Sequence, residues 1–396
     1  MSLSSSLVGV HQRQLLDAVH GFFVLHGKSL SDPVRAAFMA APRHLFVKRY
    51  KTFGASRWQE LEHETSEEHL AVLYRDNGLA IFQDAERLAT ISRPAFALFM
   101  LELLEVGPGG RVLEIGSGSG WNAALLGRLV GDHGSVDTVE IIPELAAHAT
   151  RSLARAGVAN VRVHLTDGGR IGSEMFEASS FDRVVFTTAA HDLPSGVTRL
   201  LKQHGIMLFI LKCPGGGDVL IKFCRNGDVL TALEARLCEF VSMSGLGRRQ
   251  EHEPIVLSDY LKSIGLSDKI TLTMPFSCGG RHAHDFVQRT FPLRSFLAAT
   301  QPNFITFTDP IVEHAFGIAS DSRDWLLVVQ DGEARSYGTK SGWDYLMECL
   351  QDWVKFGLPT MLSMDLRAYP SGRAPSVYVP RQWLMRRREA DFVWSL

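Results

Sequence analysis

The chain has 396 residues, which is too long for one ordinary domain. Of these residues 45% are hydrophobic and 21% charged, a composition that excludes a disordered or fibrous protein. Lys and Arg total 41 against 43 Asp and Glu, and the formal net charge of −2 provides no overall attraction to nucleic acid or to an anionic membrane. No apolar run reaches the ~18–20 residues of a membrane-spanning helix, and five scattered cysteines indicate reduced thiols rather than a disulfide framework. We therefore expect a cytoplasmic, multi-domain protein with no membrane or nucleic-acid partner.

Residues 1–88 are predicted to form an N-terminal helical cap. Apolar residues between positions 15 and 23 recur at helical spacing, and a second helix is expected to start at Ser31-Asp32 with Pro33 in its first turn. That helix is expected to end near Ala41, because the residue before a proline is biased away from helical angles.

Residues 89–247 are predicted to form an α/β core with a doubly wound sheet. Short apolar strands alternate with helices, a pattern that indicates parallel strands joined by crossover helices. The predicted strands cover 111–115, 135–139, 161–165, 181–186 and 206–211, and the predicted helices cover 122–130, 143–156 and about 196–203. The dipeptide Asn226-Gly227 predicts a hairpin, so antiparallel strands are expected to complete the sheet near Met243.

Residues 248–396 are predicted to form a C-terminal α+β domain, with a strand at 324–330 and a helix at 343–356. This region holds five of the seven tryptophans of the chain, and apolar residues at that density must be buried. We expect it to recognise the substrate. The alternative is that it stabilises a dimer or covers an edge strand, and the sequence does not decide the oligomeric state.

A glycine-rich loop, Gly116-Ser-Gly118-Ser-Gly120, follows a predicted strand and opens a predicted helix. Glycines there permit a tight turn and bring backbone N–H groups close to a ligand at the helix N-terminus. A dinucleotide fingerprint would need its third glycine one residue later, where Trp121 stands. The observed spacing, with Glu114 two residues before the first glycine, is typical of class I S-adenosylmethionine methyltransferases.

Two further acids end the next two predicted strands. Glu140 is suited to accept hydrogen bonds from ribose hydroxyls, and Asp167, followed by Gly168, to reach an adenine amine. A single acid at a strand end is more often a helix cap. Three acids at the carboxyl ends of consecutive strands, where α/β sheets bind ligands, favour a cofactor site.

Several motifs together resemble the protein-L-isoaspartate O-methyltransferase family over roughly residues 30–247. They are Pro42-Arg-His-Leu-Phe-Val47, Thr90-Ile-Ser-Arg-Pro94, the run 112–126 around the glycine loop, Thr166-Asp-Gly168 and the segment Cys238–Met243. The resemblance implies that S-adenosylmethionine is held by Ile91, Glu114, Gly116, Ser117, Gly118, Gly120, Glu140, Ile141, Asp167 and Gly168. It also implies that the segment Thr90-Ile91-Ser92 lies over the sulfonium of the cofactor, with the Ser92 hydroxyl placing the acceptor carboxylate. Arg93, the next residue, is a candidate to pair with carboxylates of the substrate.

Two positions depart from the usual family pattern. Arg93 replaces the Gln or Ala that commonly precedes the proline, and Trp121 replaces the tyrosine after the glycine loop. The Trp121 pattern, Gly-Trp-Asn-Ala-Ala-Leu-Leu, resembles divergent members with long C-terminal extensions that occur beside peptide natural-product precursors. Those members esterify an ordinary aspartate, which can then close to an aspartimide.

The expected activity is methyl transfer to an isoaspartyl or aspartyl carboxylate of a peptide or protein. A carboxylate is ionised at neutral pH, so this transfer requires no general base. The competing hypotheses are a small-molecule methyltransferase on the same core and a non-catalytic adaptor. Within the site, Ser92 can instead cap the helix that starts at Pro94, and Arg93 can be a surface cation without function. No metal is expected, because the Cys278–Asp285 segment lacks paired ligand spacing.

Overall fold

The computed structural model describes residues 3–61, 66–213, 217–247, 255–266, 269–273, 283–308, 315–330, 333–375 and 380–396. The described helices are α1 (Leu3–Leu25), α2 (Asp32–Ala40), α3 (Glu67–Leu73), α4 (Pro94–Leu104), α5 (Trp121–Val130), α6 (Pro143–Arg155), α7 (Ser195–Leu200), α8 (Leu257–Ile264), α9 (Ala283–Thr300) and α10 (Ser341–Lys355). None of these described helices combines the length and apolarity needed to cross a membrane.

The described strands belong to four sheets. They are β1 (Arg49–Tyr50), β2 (Gln59–Glu60), β3 (Leu79–Gln83), β4 (Leu88–Ile91), β5 (Arg111–Ile115), β6 (Ser135–Glu140), β7 (Val161–Leu165), β8 (Phe181–Phe186), β9 (Leu201–Lys212), β10 (Asp218–Asn226), β11 (Val229–Cys238), β12 (Ile255–Val256), β13 (Lys269–Thr273), β14 (Phe304–Thr308), β15 (Ala315–Ala319), β16 (Trp325–Gln330), β17 (Glu333–Gly338), β18 (Asp365–Pro370), β19 (Gln382–Arg386) and β20 (Ala390–Ser395).

The N-terminal cap is helical only in part. Ser31 caps α2 through its hydroxyl, which accepts a hydrogen bond from the Val34 N–H, and α2 ends at Ala40 as predicted. Two antiparallel hairpins, β1–β2 and β3–β4, accompany the helices and were not anticipated. Strand β4 leads directly into Ser92, so the second hairpin carries the predicted acceptor segment.

The central sheet has ten strands in the order β19-β20-β18-β11-β10-β9-β8-β5-β6-β7. The five strands from β9 to β7 are parallel, which confirms the predicted doubly wound core. The helix expected at about 196–203 is shorter, because α7 ends at Leu200 and β9 already begins at Leu201, which pairs with Phe181.

The predicted hairpin at Asn226-Gly227 is confirmed by β10 and β11, but the sheet does not end there. Strand β11 pairs with β18 through Leu230 opposite Ala368, and β20 and β19 follow. The expectation that the sheet is complete near Met243 is therefore wrong. Buried Phe392 and Trp394 of β20 belong to the same apolar core as Phe209 of β9. An uncovered β11 would expose a row of unpaired backbone groups.

The rest of the C-terminal region forms a second sheet of six strands in the order β12-β14-β15-β16-β17-β13. Strand β16 and helix α10 confirm the strand and helix predicted there. On β16, Leu327 and Val329 face the core shared with α9 and α10, whereas Leu326 and Val328 face the core beside α8. The C-terminal region thus forms a separate α+β unit with its own sheet, and it also contributes strands β18–β20 to the central sheet.

Candidate active site

A cleft lies at the carboxyl ends of β5, β6 and β7, under the connection from β4 to α4. Nine of the residues predicted for the site line it: Thr90, Ile91, Ser92, Gly116, Ser117, Gly118, Glu140, Ile141 and Gly168. The cleft opens into a wider chamber of about 840 Å³. Thr90, Ser92, Phe240 and Ser242 line both spaces, so they mark the junction between cleft and chamber.

The floor of the cleft is the glycine loop. Gly116 has a φ of +105°, and a Cβ built on it would lie 2.5 Å from Thr187 Oγ1, so only glycine fits at this position. The backbone N–H groups of Gly116 and Ser117 both donate to the Val139 carbonyl, which ties the loop to β6. A Cβ on Gly118 would face the Thr90 carbonyl at 3.8 Å, across the cleft.

Glu140, at the end of β6, is 6% exposed. Its Oε2 accepts a hydrogen bond from the Gly118 N–H at 2.8 Å, and its Oε1 accepts one from the Ile142 N–H at 3.0 Å. Burial raises the pKa of this carboxyl, and the backbone hydrogen bonds oppose that rise. Glu140 therefore holds the glycine loop and presents a carboxylate to the cleft.

Glu114 lies beneath the loop and does not reach the cleft surface. It is fully buried, and its carboxylate accepts hydrogen bonds from Thr138 Oγ1 and from Asn122 Nδ2. Burial raises its pKa to about 7. Asn122 lines the cleft, and its hydrogen bond to Glu114 fixes its side chain. Glu114 therefore supports a cleft residue without lining the cleft itself.

Asp167 also serves the architecture of the site. Its Oδ1 accepts a hydrogen bond from the Gly169 N–H at 2.8 Å, so it caps the short 3₁₀ turn Gly168–Arg170. Its Oδ2 accepts one from the Leu246 N–H at 3.0 Å, which ties down the segment after β11. Neither Asp167 nor Gly120 lines the cleft, and Gly120 instead lets α5 approach Ala149 closely.

The acceptor segment is fastened by Asp76. Its Oδ1 accepts a hydrogen bond from the Ala95 N–H at 2.7 Å and thereby caps α4, while its Oδ2 pairs with Arg93 Nε at 2.6 Å. Arg93 also lies over the Phe22 ring at 5.2 Å and borders the chamber. The alternative that Ser92 caps α4 is wrong, because Arg93 occupies the N-cap position and Asp76 provides the cap. Among the described residues, the Ser92 hydroxyl has no hydrogen-bond partner.

Two parts of the cleft wall were not predicted as site residues. The segment from Phe240 to Ser244 forms one side, where Met243 N–H donates to the Ala189 carbonyl. Thr187 and Thr188 follow β8 and form another side. The end of a predicted parallel strand was the available signal for the threonines. The family-resembling motif Cys238–Met243 was the available signal for 240–243, although its place in the wall depends on the path of the chain after β11.

The prediction that no metal is bound concerns the Cys278–Asp285 segment, and residues 274–282 lie outside the described residues. Within the described part of the chain, no group of three or more His, Cys, Asp or Glu side chains is arranged to hold a metal ion.

Comparison with known proteins identifies the family. Residues 23–246 match the model of the protein-L-isoaspartate (D-aspartate) O-methyltransferase family, which is more than half of the chain. The chain is 34% identical over 198 residues to a protein-L-isoaspartate O-methyltransferase of Pyrobaculum arsenaticum, covering 50% of this chain and 84% of that protein. It is 37% identical over 205 residues to that of Methanococcoides burtonii, covering 52% of this chain and 89% of that protein. The chain belongs to the protein-L-isoaspartate (D-aspartate) O-methyltransferase family.

The family assignment makes the chain an S-adenosylmethionine-dependent methyltransferase with the fold of that enzyme class. A solved protein-L-isoaspartate O-methyltransferase superposes with a TM-score of 0.50 at 20% identity, covering 89% of this chain and 96% of that one. At 20% identity this superposition shows the fold alone. The superposed part of the chain is larger than residues 23–246, which the family model matches.

The cleft residues fit S-adenosylmethionine. Gly116 and Gly118 add no side chains to the loop surface, and the Glu140 carboxylate lies next to the loop through its hydrogen bond from the Gly118 N–H. A Cβ built on Gly168 would lie 2.6 Å from Ile115 and 2.8 Å from Met243, so a side chain at this end of the cleft would require one of them to move. Trp121, at the start of α5, is 1% exposed and donates its indole N–H to the Ala41 carbonyl at 3.0 Å. The tryptophan therefore joins the cap to the glycine loop.

Proposed function

We propose that this enzyme methylates the side-chain carboxylate of an isoaspartyl or aspartyl residue in a peptide or protein. The supporting observation is the composition of the cleft. Glu140 is the only ionisable side chain among the described residues that line it, and both of its oxygens accept backbone hydrogen bonds. A cleft whose one ionisable side chain among the described residues is already held by backbone N–H groups suits an acceptor that is itself ionised, as a carboxylate is.

Residues of the cleft, and Ser92 at its junction with the chamber, have the properties that this reaction needs. S-adenosylmethionine, when bound, supplies an activated methyl group on a sulfonium. Apolar Ile91, Ala97 and Met100 line the cleft and exclude water, which strengthens the attraction between acceptor anion and cofactor cation. The Ser92 hydroxyl, which has no hydrogen-bond partner among the described residues, is available to donate to one acceptor oxygen, leaving the other free to attack. Orientation and desolvation then supply most of the rate enhancement.

The size and lining of the chamber support a peptide rather than a small metabolite as acceptor. Its walls include Phe22, Phe53, Phe96 and Phe240, and Phe53 is 66% exposed at the rim. Such a surface can pack against residues that flank the acceptor. On an aspartyl acceptor, attack of the next backbone nitrogen on the ester would form an N–C bond, release methanol and leave a succinimide.

The domain boundaries 1–88, 89–247 and 248–396, and substrate recognition by the last region, belong to this proposal. No residue after Ser244 is among the described residues that line the chamber. Recognition by the C-terminal region would therefore act on parts of a substrate distant from the acceptor. Residues of β18 also cover the edge of β11, which supports the alternative role of covering an edge strand.

A pH profile tests the claim that the acceptor needs no base. With a peptide acceptor, kcat/KM is expected to be flat from about pH 6 to about pH 8, because an aspartyl carboxyl with a pKa near ~3.9 is fully ionised there. A profile that rises tenfold per pH unit across this range would show that a proton must be removed from the acceptor or the enzyme, and would refute carboxylate methylation as proposed.

A further inference from the structure

Arg43 is a buried cation to which no carboxylate of the described residues is hydrogen-bonded. Its side chain is 0% exposed, and its four hydrogen bonds all go to backbone carbonyls. These belong to Leu73, Asn77, Ile91 and Ser92, with Nη2 at 2.9 Å from the Ser92 oxygen and 3.3 Å from the Ile91 oxygen. Among the described residues, Arg43 Nε has no hydrogen-bond partner. Burying a charge costs free energy, so the position of the Arg43 guanidinium against the Ile91–Ser92 backbone requires an explanation.

The surroundings of Arg43 connect both halves of the site. Its guanidinium lies 5.4 Å from the centre of the Trp121 ring, which directly follows the glycine loop. Burial lowers the pKa of Arg43 only to about 10, so the side chain stays cationic at neutral pH. Arg43 therefore lies between the helix that begins at the cofactor loop and the backbone that carries Ser92.

The acceptor segment is held from two sides. Arg43 binds the carbonyls of Ile91 and Ser92, and Asp76 binds the N–H of Ala95 and the guanidinium of Arg93. Within the described part of the chain the Ser92 hydroxyl makes no hydrogen bond, so these backbone contacts hold Ser92 in position. Since small displacements of a positioning group cost large factors in rate, the contacts matter to turnover.

We infer that Arg43 is a positioning residue for methyl transfer, fixing the Ile91–Ser92 backbone so that the Ser92 hydroxyl stays at the junction of cleft and chamber. The inference rests on the role of Ser92 under the proposed function. Lysine cannot replace Arg43, because a single ammonium cannot reach carbonyls of both the 73–77 and the 91–92 segments as a planar guanidinium does.

The matched control is Arg225. It is 8% exposed and likewise donates to backbone carbonyls, those of Arg199, Leu201 and Gly227. It also donates to Ser179 Oγ and lies 4.0 Å from Asp228 Oδ1, and it lines neither the cleft nor the chamber. Arg43→Lys is expected to lower kcat on a peptide acceptor by roughly tenfold to a hundredfold, with S-adenosylhomocysteine affinity retained. Arg225→Lys is expected to lower stability without changing kcat. A wild-type kcat in folded Arg43→Lys would overturn the inference.

A double-mutant cycle with Ser92→Ala distinguishes positioning from general support. If Arg43 acts through Ser92, Arg43→Lys loses most of its effect on kcat in the Ser92→Ala background, whereas Arg225→Lys stays additive. Full additivity of Arg43→Lys would overturn the inference. An unchanged kcat in Ser92→Ala alone would instead refute the role of Ser92 in the proposed function.

Amide hydrogen exchange supplies a readout that does not depend on activity. Arg43→Lys is expected to speed exchange in peptides covering residues 88–93, and Arg225→Lys is not. Unchanged exchange there would contradict the inference even if the proposed acceptor proves wrong. If Arg43→Lys does not fold, Arg43→Gln is measured in the same way. Failure of both to fold while Arg225→Lys folds would assign Arg43 a purely structural role.

Discussion

Replacing Glu140 by glutamine is the most informative change in the cofactor cleft. The carboxylate is 6% exposed and accepts hydrogen bonds from the N–H groups of Gly118 and Ile142. Glutamine keeps the volume and one acceptor oxygen but turns an amide NH₂ toward one of these donors. It also removes the charge available to ribose hydroxyls. A lost hydrogen bond to a charged group is worth about 1.5–3 kcal/mol, so affinity for S-adenosylhomocysteine should fall about tenfold to a hundredfold.

Isothermal titration calorimetry at neutral pH measures this change. Asp137→Asn is the control, because Asp137 lies on the same strand, is 4% exposed, pairs with His164 and does not line the cleft. The control should lose stability but keep its affinity for S-adenosylhomocysteine. Unchanged affinity in folded Glu140→Gln, or an equal loss in Asp137→Asn, would refute the assignment of Glu140 to the cofactor.

Three other changes have defined outcomes. Gly116→Ala should destabilise the fold by about 2–4 kcal/mol and abolish cofactor binding, because φ is +105° and the new Cβ would meet Thr187 Oγ1 at 2.5 Å; urea unfolding with wild-type stability would contradict this. Burial raises the Glu114 pKa from 4.5 to about 7, so the folded state holds the proton more tightly and wild-type stability should fall as pH rises between these values. The difference in unfolding free energy between wild type and Glu114→Gln should change by about 3 kcal/mol across this pH range. A difference that stays constant with pH would contradict the raised pKa of Glu114. A chain truncated after Gly247 should aggregate, because it uncovers the β11 edge and the core around Phe209; a soluble fragment that binds S-adenosylhomocysteine with full affinity in calorimetry would show the reverse.

The sequence predicted the parts of the fold that depend on local patterns. Strand–helix alternation, the glycine spacing and the Asn226-Gly227 turn are properties of short segments, and the structure confirms the elements that they predict. Pairing between distant segments leaves no such pattern. An apolar face shows that a strand is buried but does not name its neighbour, so the pairing of β11 with β18 was not anticipated.

The same distinction explains the site. Glu140 and the glycine loop lie at predictable strand ends, and the structure places them in the cleft. Glu114 and Asp167 stand in the same sequence pattern, yet their oxygens are taken up by Thr138, Asn122 and backbone N–H groups. The hydrogen bond that caps α4 comes from Asp76, which is distant from the helix in sequence. Sequence spacing could therefore suggest only Ser92, which lies just before the helix, as the capping residue.

The chemistry of the product tests carboxylate methylation most directly. The enzyme is incubated with methyl-labelled S-adenosylmethionine and a pair of peptides that differ only in carrying an isoaspartyl or an aspartyl residue at one position. Mild base is then applied. We expect the label to leave at least one of the two peptides as volatile methanol, because a methyl ester on such a carboxylate is base-labile. Label that stays on the peptide after base, or no transfer to either peptide by folded enzyme that binds S-adenosylhomocysteine, would contradict carboxylate methylation of aspartyl-derived residues.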